Sequence, residues 1–277
     1  MAFSTHTRCT ASLLILFASS VTGFTQTPTQ HARVELLARQ SAIKPSSDLQ
    51  LGVHFVLEKG WHIYWINPGD SGQPPSFKWQ LPPGFSAGEV QWPRPERLRP
   101  SKELVDYGYS GEVLLPLTIH APSAVAGLSS AEFAADAKWL ICREVCLPEH
   151  ANLRLALPVS TTTGLDQQHA QLFAKADKLV PQPLFRAWNA SATSSKDDLI
   201  LMVRADKPIT QVEFFPLNPG EIDNPAPQKV QPTPSGAKIT LKKSDLLLKP
   251  LTILRGVLAI PGSPPYRIEA PVRQSIQ

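Results

Sequence analysis

Leu51-Gly52-Val53-His54-Phe55-Val56-Leu57-Glu58-Lys59-Gly60-Trp61-His62-Ile63-Tyr64-Trp65-Ile66 decides the fold class. Apolar side chains alternate at Leu51, Val53, Phe55 and Leu57, Lys59-Gly60 supplies a turn, and an aromatic, β-branched run follows. Alternation with period two places one set of side chains on one face of a pleated strand, so this stretch predicts a hairpin with one buried face. The pattern continues outward. Asn67-Pro68-Gly69-Asp70-Ser71-Gly72 is a loop by composition, and short strands are expected at 77–79, 89–92, 113–119, 132–141 and 152–158. That makes about eight strands in roughly 125 residues, the size of one β-sandwich domain.

Thr161-Thr162-Thr163-Gly164 then introduces a helix whose Leu165, Leu172, Phe173, Ala176 and Leu179 share a face and which Pro181 ends. Further short apolar runs at 199–203, 211–215, 238–241, 251–260 and 266–270 predict a second, smaller β domain. The 28 prolines punctuate these runs rather than forming a tract, which suits a turn-rich all-β chain and not a disordered one. The expected organisation is a leader at 1–23, a sandwich domain at 30–160, a linker helix at 161–180 and the second β domain at 181–277.

The leader reads as a secretory signal. Arg8 is its positive region, Ala11-Ser12-Leu13-Leu14-Ile15-Leu16-Phe17-Ala18 its apolar core and Val21-Thr22-Gly23 its small-residue cleavage site. The apolar run is shorter than the ~20 residues a membrane span needs, and the later run at 246–260 is broken by Lys249 and Arg255. The expected mature protein is exported and has no membrane span. The formal charge of +4 loses Arg8 on processing, 27 − 1 − 23 = +3, with no Lys/Arg cluster, which argues against nucleic acid as a partner.

Trp139-Leu140-Ile141-Cys142-Arg143-Glu144-Val145-Cys146-Leu147-Pro148-Glu149 carries the chemistry. Of the three cysteines, Cys9 leaves with the leader, so Cys142 and Cys146 remain as a pair. A disulfide needs Cα atoms about 4.4–6.8 Å apart, whereas four extended steps cover about 13 Å. The chain must turn back between them, in a tight hairpin or a helical turn, for a bond to close. Such a bond would staple little: closing about five residues is worth roughly 2 kcal/mol against about 4.7 for a hundred-residue loop. An exported compartment and a weak staple favour a redox role; a structural bridge pinning a hairpin is the alternative. Zinc wants about four ligands, and only His150 lies near in sequence. Arg143 and Lys138 could favour a thiolate while Glu144 and Glu149 oppose it, and the tryptophans at 61, 65, 79 and 92 read as core and rim packing.

Several motifs together resemble the N-terminal periplasmic region of the DsbD/ScsB thiol:disulfide reductases. They are Gly60-Trp61-His62-Ile63-Tyr64-Trp65 with the 67–72 loop, Tyr107-Gly108-Tyr109 ahead of Val113-Leu114-Leu115-Pro116, and the Trp139–Cys142 and Cys146–Glu149 segments. Phe214-Phe215-Pro216-Leu217 with Ala226-Pro227-Gln228 is similar to the same family's second β domain. The resemblance implies an immunoglobulin-like fold, a disulfide between Cys142 and Cys146 that relays electrons in the periplasm, and no cofactor. It places residues 104–110 as a cap over the cysteines, with Asp106, Tyr107 and Tyr109 screening the pair; ordinary packing is the alternative for the tyrosines. The implied partners are a thioredoxin-like or membrane electron donor and oxidised periplasmic thiol proteins. Two other functions stay open: a non-catalytic binding module with a structural disulfide, and a copper-tolerance accessory. With only Met1 and Met202 present, a methionine-rich copper site is excluded, but a copper(I) site at Cys142/Cys146 is chemically possible.

Overall fold

The structure, a computed structural model, describes residues 27–28, 30–125 and 127–275. The expected leader and Cys9 lie outside the described residues. The fold is all-β and immunoglobulin-like, with one α-helix among the described residues.

The first half contains nine principal strands: β1 (Ala32–Ala38), β2 (Asp48–Leu57), β3 (His62–Gly69), β4 (Ser76–Gln80), β5 (Glu96–Leu98), β6 (Asp106–Ser110), β7 (Glu112–His120), β8 (Ser130–Cys142) and β9 (Cys146–Pro158). One sheet runs β1-β2-β7, and the opposing sheet runs β9-β8-β3-β6-β5, with β4 also paired to β8. All these pairings are antiparallel. Val53, Phe55 and Leu57 from one sheet and Trp61, Ile63 and Trp65 from the other belong to a single buried core.

The Leu51–Ile66 stretch is therefore not a hairpin. Its two strands lie in opposite sheets, and the Glu58–Gly60 turn carries the chain across the sandwich. Alternation reports which face is buried but not which strand is the hydrogen-bonding neighbour, so the hairpin reading gives way to a crossing between sheets. No strand forms at 89–92. Conversely, residues 106–110, expected in a loop, form β6 between β3 and β5.

The helix α1 (Ala170–Leu179) starts later than its sequence signal, leaving Leu165 exposed outside it. Phe173 and Ala176 bury its inner face against Leu37 and Leu114 of the first sheet. It is docked on the sandwich.

A further sheet follows, built from β10 (Asn189–Ser194), β11 (Asp198–Arg204), β12 (Glu213–Pro216), β13 (Lys229–Thr233), β14 (Gly236–Lys242), β15 (Ile253–Ala259) and β16 (Tyr266–Gln274) in the order β12-β15-β16-β10-β11-β14-β13. It curls round its own core of Leu199, Leu201, Phe214, Ile239 and Leu254, among others. Its neighbours Phe215 and Val257 point the other way and join the core of the first domain. Phe215 meets Tyr107 edge-to-face at 5.5 Å between ring centroids. The second sheet and the sandwich thus share apolar packing.

Candidate functional site

Cys142 is the last residue of β8 and Cys146 the first of β9, directly opposite each other across the ladder. Three residues, Arg143 to Val145, turn the hairpin, and the Cys142–Cys146 disulfide closes it with Cα atoms 4.1 Å apart. Of the two ways to bring the cysteines together, the chain uses the hairpin. The partners differ in access: Cys142 is 2 % exposed, whereas Cys146 belongs to the exposed tip with Val145, itself 62 % exposed.

Strand parity decides what surrounds the sulfurs. From Trp61 into β3, Trp61, Ile63 and Trp65 enter the core, so His62 and Tyr64 stand on the opposite face. Ile141 also faces the core, which turns Cys142 outward beside His62, its register partner on β3. The Tyr64 hydroxyl donates to Cys142 Sγ at 3.0 Å and lies 3.6 Å from Cys146 Sγ. His62 packs edge-to-face on Tyr64, with centroids 5.3 Å apart.

Tyr64 stands on the outer face of its sheet yet is 1 % exposed. The loop after β3 covers it. A Cβ on Gly72 would overlap the Tyr64 ring at Cζ, and Gly72 has φ +77°, so the backbone rests on the ring only because this residue has no side chain. Asp106 holds the same loop from below, accepting from Ser71 N at 2.9 Å and Ser71 Oγ at 2.8 Å.

Burial dominates the electrostatics. It lowers the His62 pKa, against the pull of Asp106, and raises that of Tyr64. At neutral pH the imidazole is uncharged and the phenol keeps its proton, so Tyr64 is a donor toward sulfur. Burial also raises the Asp106 pKa, although the hydrogen bonds from Ser71 and the neighbouring His62 favour its carboxylate.

The structure brings together only part of the set expected from sequence. Asp106 shares the face of the disulfide, but Tyr107 and Tyr109 point the opposite way, 0 % and 5 % exposed within the sandwich core. Their hydroxyls donate to Asn224 Oδ1 and to the Pro93 carbonyl. The expected cap over residues 104–110 is corrected accordingly. Residues 106–110 form an interior strand, where alternation forces the tyrosines inward, and the segment lying over Tyr64 is the end of β3 with the turn after it, residues 67–72. Arg143 is turned away too, its guanidinium 5.2 Å above the Trp61 ring, while Trp61 stacks on His31. Lys138 and His150 pair further along the hairpin. Sequence reasoning did not single out Tyr64 or His62 as site residues, though the signal was there: they alternate with three core residues and so share a face with whatever lies beside that strand.

The family described as thiol:disulfide interchange protein DsbD, N-terminal, matches residues 33–158. Among solved structures, the N-terminal periplasmic domain of ScsB from Proteus mirabilis superposes with a TM-score of 0.67, covering 92 % of this chain and 98 % of its own at 18 % identity. The yeast GGA1 GAE domain is a weaker likeness, with a TM-score of 0.30 and 11 % identity over 48 % of this chain. No curated protein matches the chain by sequence. At 18 % identity the ScsB likeness is one of fold, and it takes in the second sheet as well as the sandwich. Residues 33–158, with Cys142 and Cys146 inside them, are a domain of the thiol:disulfide interchange protein DsbD N-terminal family.

Proposed function

We propose that the chain is a periplasmic thiol–disulfide exchange protein that takes two electrons from a thioredoxin-like or membrane donor and passes them to an oxidised thiol protein. The observation that carries this reading is the asymmetry of the pair: an exposed Cys146 bonded to a buried Cys142 whose sulfur already accepts a hydrogen bond from Tyr64.

Reduction begins when a donor thiolate attacks Cys146 Sγ, the sulfur it can reach. The bond to Cys142 breaks and its electron pair leaves on Cys142 Sγ, where the Tyr64 hydroxyl meets the developing charge. The donor's second thiolate then attacks its own half of the mixed disulfide and releases Cys146. The donor ends as a disulfide and this chain as a dithiol, the thiolates of Cys142 and Cys146 each taking up a proton from solvent. Delivery to the acceptor is the same sequence in reverse, starting from Cys146. Neutral His62 adds no charge that would hold the leaving thiolate permanently, which suits a relay rather than a sink. The signal-like leader and the family's periplasmic relatives support the compartment. No described helix is long and apolar enough to cross a membrane.

A thioredoxin lacking its resolving cysteine tests the proposal. Incubated reduced with the oxidised protein, it should accumulate as a mixed disulfide, and peptide mapping should find that bond on Cys146. A bond on Cys142 would overturn the assignment of the attacked sulfur. No mixed disulfide at all would leave a structural bridge.

A further inference from the structure

The loop that covers Tyr64 is not held by its own domain alone. Asn67 Nδ2, on a side chain 1 % exposed, donates to the carbonyl of Pro216 in the second domain at 2.8 Å, while its Oδ1 accepts from Gly69 N at 3.1 Å. Asn224, between β12 and β13 of the second domain, donates through Nδ2 to Asp70 Oδ1 at 2.7 Å. Asp70 in turn accepts from Val105 N through Oδ2 at 2.8 Å. Asn224 is 4 % exposed, its Oδ1 takes the Tyr107 hydroxyl at 2.9 Å, and its backbone carbonyl takes the Arg97 guanidinium. Each of these bonds runs to a group of the first domain. A buried amide with both ends and its own carbonyl engaged has one orientation available, so it aims its donor at Asp70 without searching.

From Asp70 the chain passes through Ser71, tied to Asp106, to Gly72, lying on the phenol end of Tyr64 beside both sulfurs. We infer that Asn224 of the second domain is a positioning residue for the disulfide: by clamping Asp70 it holds the 67–72 loop down on Tyr64 and sets how readily a thiol reaches the sulfur pair. The second domain carries no cysteine, so its part in the chemistry is to fix the lid of a site built wholly on the first. The inference rests on the exchange role proposed above.

The experiment measures two quantities on the full chain: the second-order rate of disulfide reduction by glutathione, and the thermal midpoint. Asn224→Asp keeps the acceptor for Tyr107 but sets one carboxylate against another at Asp70, expelling the loop. The glutathione rate should rise about tenfold, the shift expected from losing one charge-assisted hydrogen bond. Adding Asp70→Asn restores a donor–acceptor pair in the opposite sense, with the amide now at position 70, and should return the rate to that of the unaltered protein. A merely structural loss would not be reversed in this way. Glu213→Gln, which removes the ion pair between the domains at Arg97 (3.5 Å) without touching the loop, should leave the rate unchanged. An unchanged rate in Asn224→Asp, an equal rise in Glu213→Gln, or no recovery in the double variant overturns the inference. If Asn224→Asp does not fold, Asp70→Ala cuts the same clamp from its exposed side and must show the same acceleration. The glutathione rate is defined for any disulfide. Failure to form a mixed disulfide with thioredoxin would therefore remove the exchange role while leaving the clamp standing, and a flat rate would remove the clamp alone.

Discussion

Tyr64→Phe isolates the contribution of one hydroxyl. The ring stays in place under Gly72, so the loop that rests on it is undisturbed, and only the donor 3.0 Å from Cys142 Sγ is lost. In the oxidised protein that bond ends on a neutral sulfur, a weak acceptor. Once a thiol attacks Cys146, Cys142 leaves as a thiolate and the bond becomes charge-assisted, worth about 1.5–3 kcal/mol. Thiol–disulfide exchange develops roughly half a unit of charge at its transition state, following a Brønsted coefficient of about 0.4–0.5. Half of the bond energy, about 0.75–1.5 kcal/mol, therefore reaches the barrier. At 1.36 kcal/mol per factor of ten, the variant should be reduced roughly four- to thirteenfold more slowly. The assay is the second-order rate with a small monothiol, corrected for its thiolate fraction, followed by tryptophan fluorescence or thiol labelling, with denaturant unfolding as the control for stability. A rate equal to or above that of the unaltered protein would refute the reasoning, because it would mean that Cys142 is not the leaving sulfur or that Tyr64 acts only as a cover.

Three further outcomes follow from the same geometry. Gly72→Ala places a methyl where Tyr64 Cζ stands, on a backbone with φ +77°, so the loop must lift; reduction by glutathione should accelerate, with a stability loss above about 1 kcal/mol in urea. Tyr107→Ala and Tyr109→Ala should each cost about 3–5 kcal/mol, as truncations of core aromatics do; a marginal loss in denaturant titration would contradict their place in the core. His62 has its pKa lowered by burial, so its contribution is present above the unfolded value of 6.5 and is lost as pH falls through the folded value. The thermal midpoint should therefore decline as pH is lowered below about 6.5, and His62→Gln should flatten that part of the profile. Asp106, with a raised pKa, acts with the opposite sign: its stabilising protonation is fully present below 3.8 and is lost as pH rises through its folded value.

Much of this protein is legible along the chain. The period-two runs identify an all-β sandwich because burying one face of a strand requires it, and the helix appears where the spacing changes. The cysteine pair stands out because a bond four residues apart forces a turn. Parity along Trp61–Trp65 even contains the positions of His62 and Tyr64. Other features depend on contacts between residues far apart in sequence, and no local pattern reports those. Alternation reads identically whether the next strand pairs beside the first or crosses to the facing sheet, so the chain at Glu58–Gly60 looked like a hairpin. The resemblance places residues 104–110 as a cap, and local composition does not reveal that β3 and β5 flank residues 106–110 and make them a strand. The loop over Tyr64 is held by partners distant in sequence, Asp106 at Ser71 and Asn224 at Asp70, the latter across 154 residues. Sequence determined which atoms could react; the packing of one domain on the other decided what stands over them, because hydrogen-bond partners and cover are properties of proximity in space.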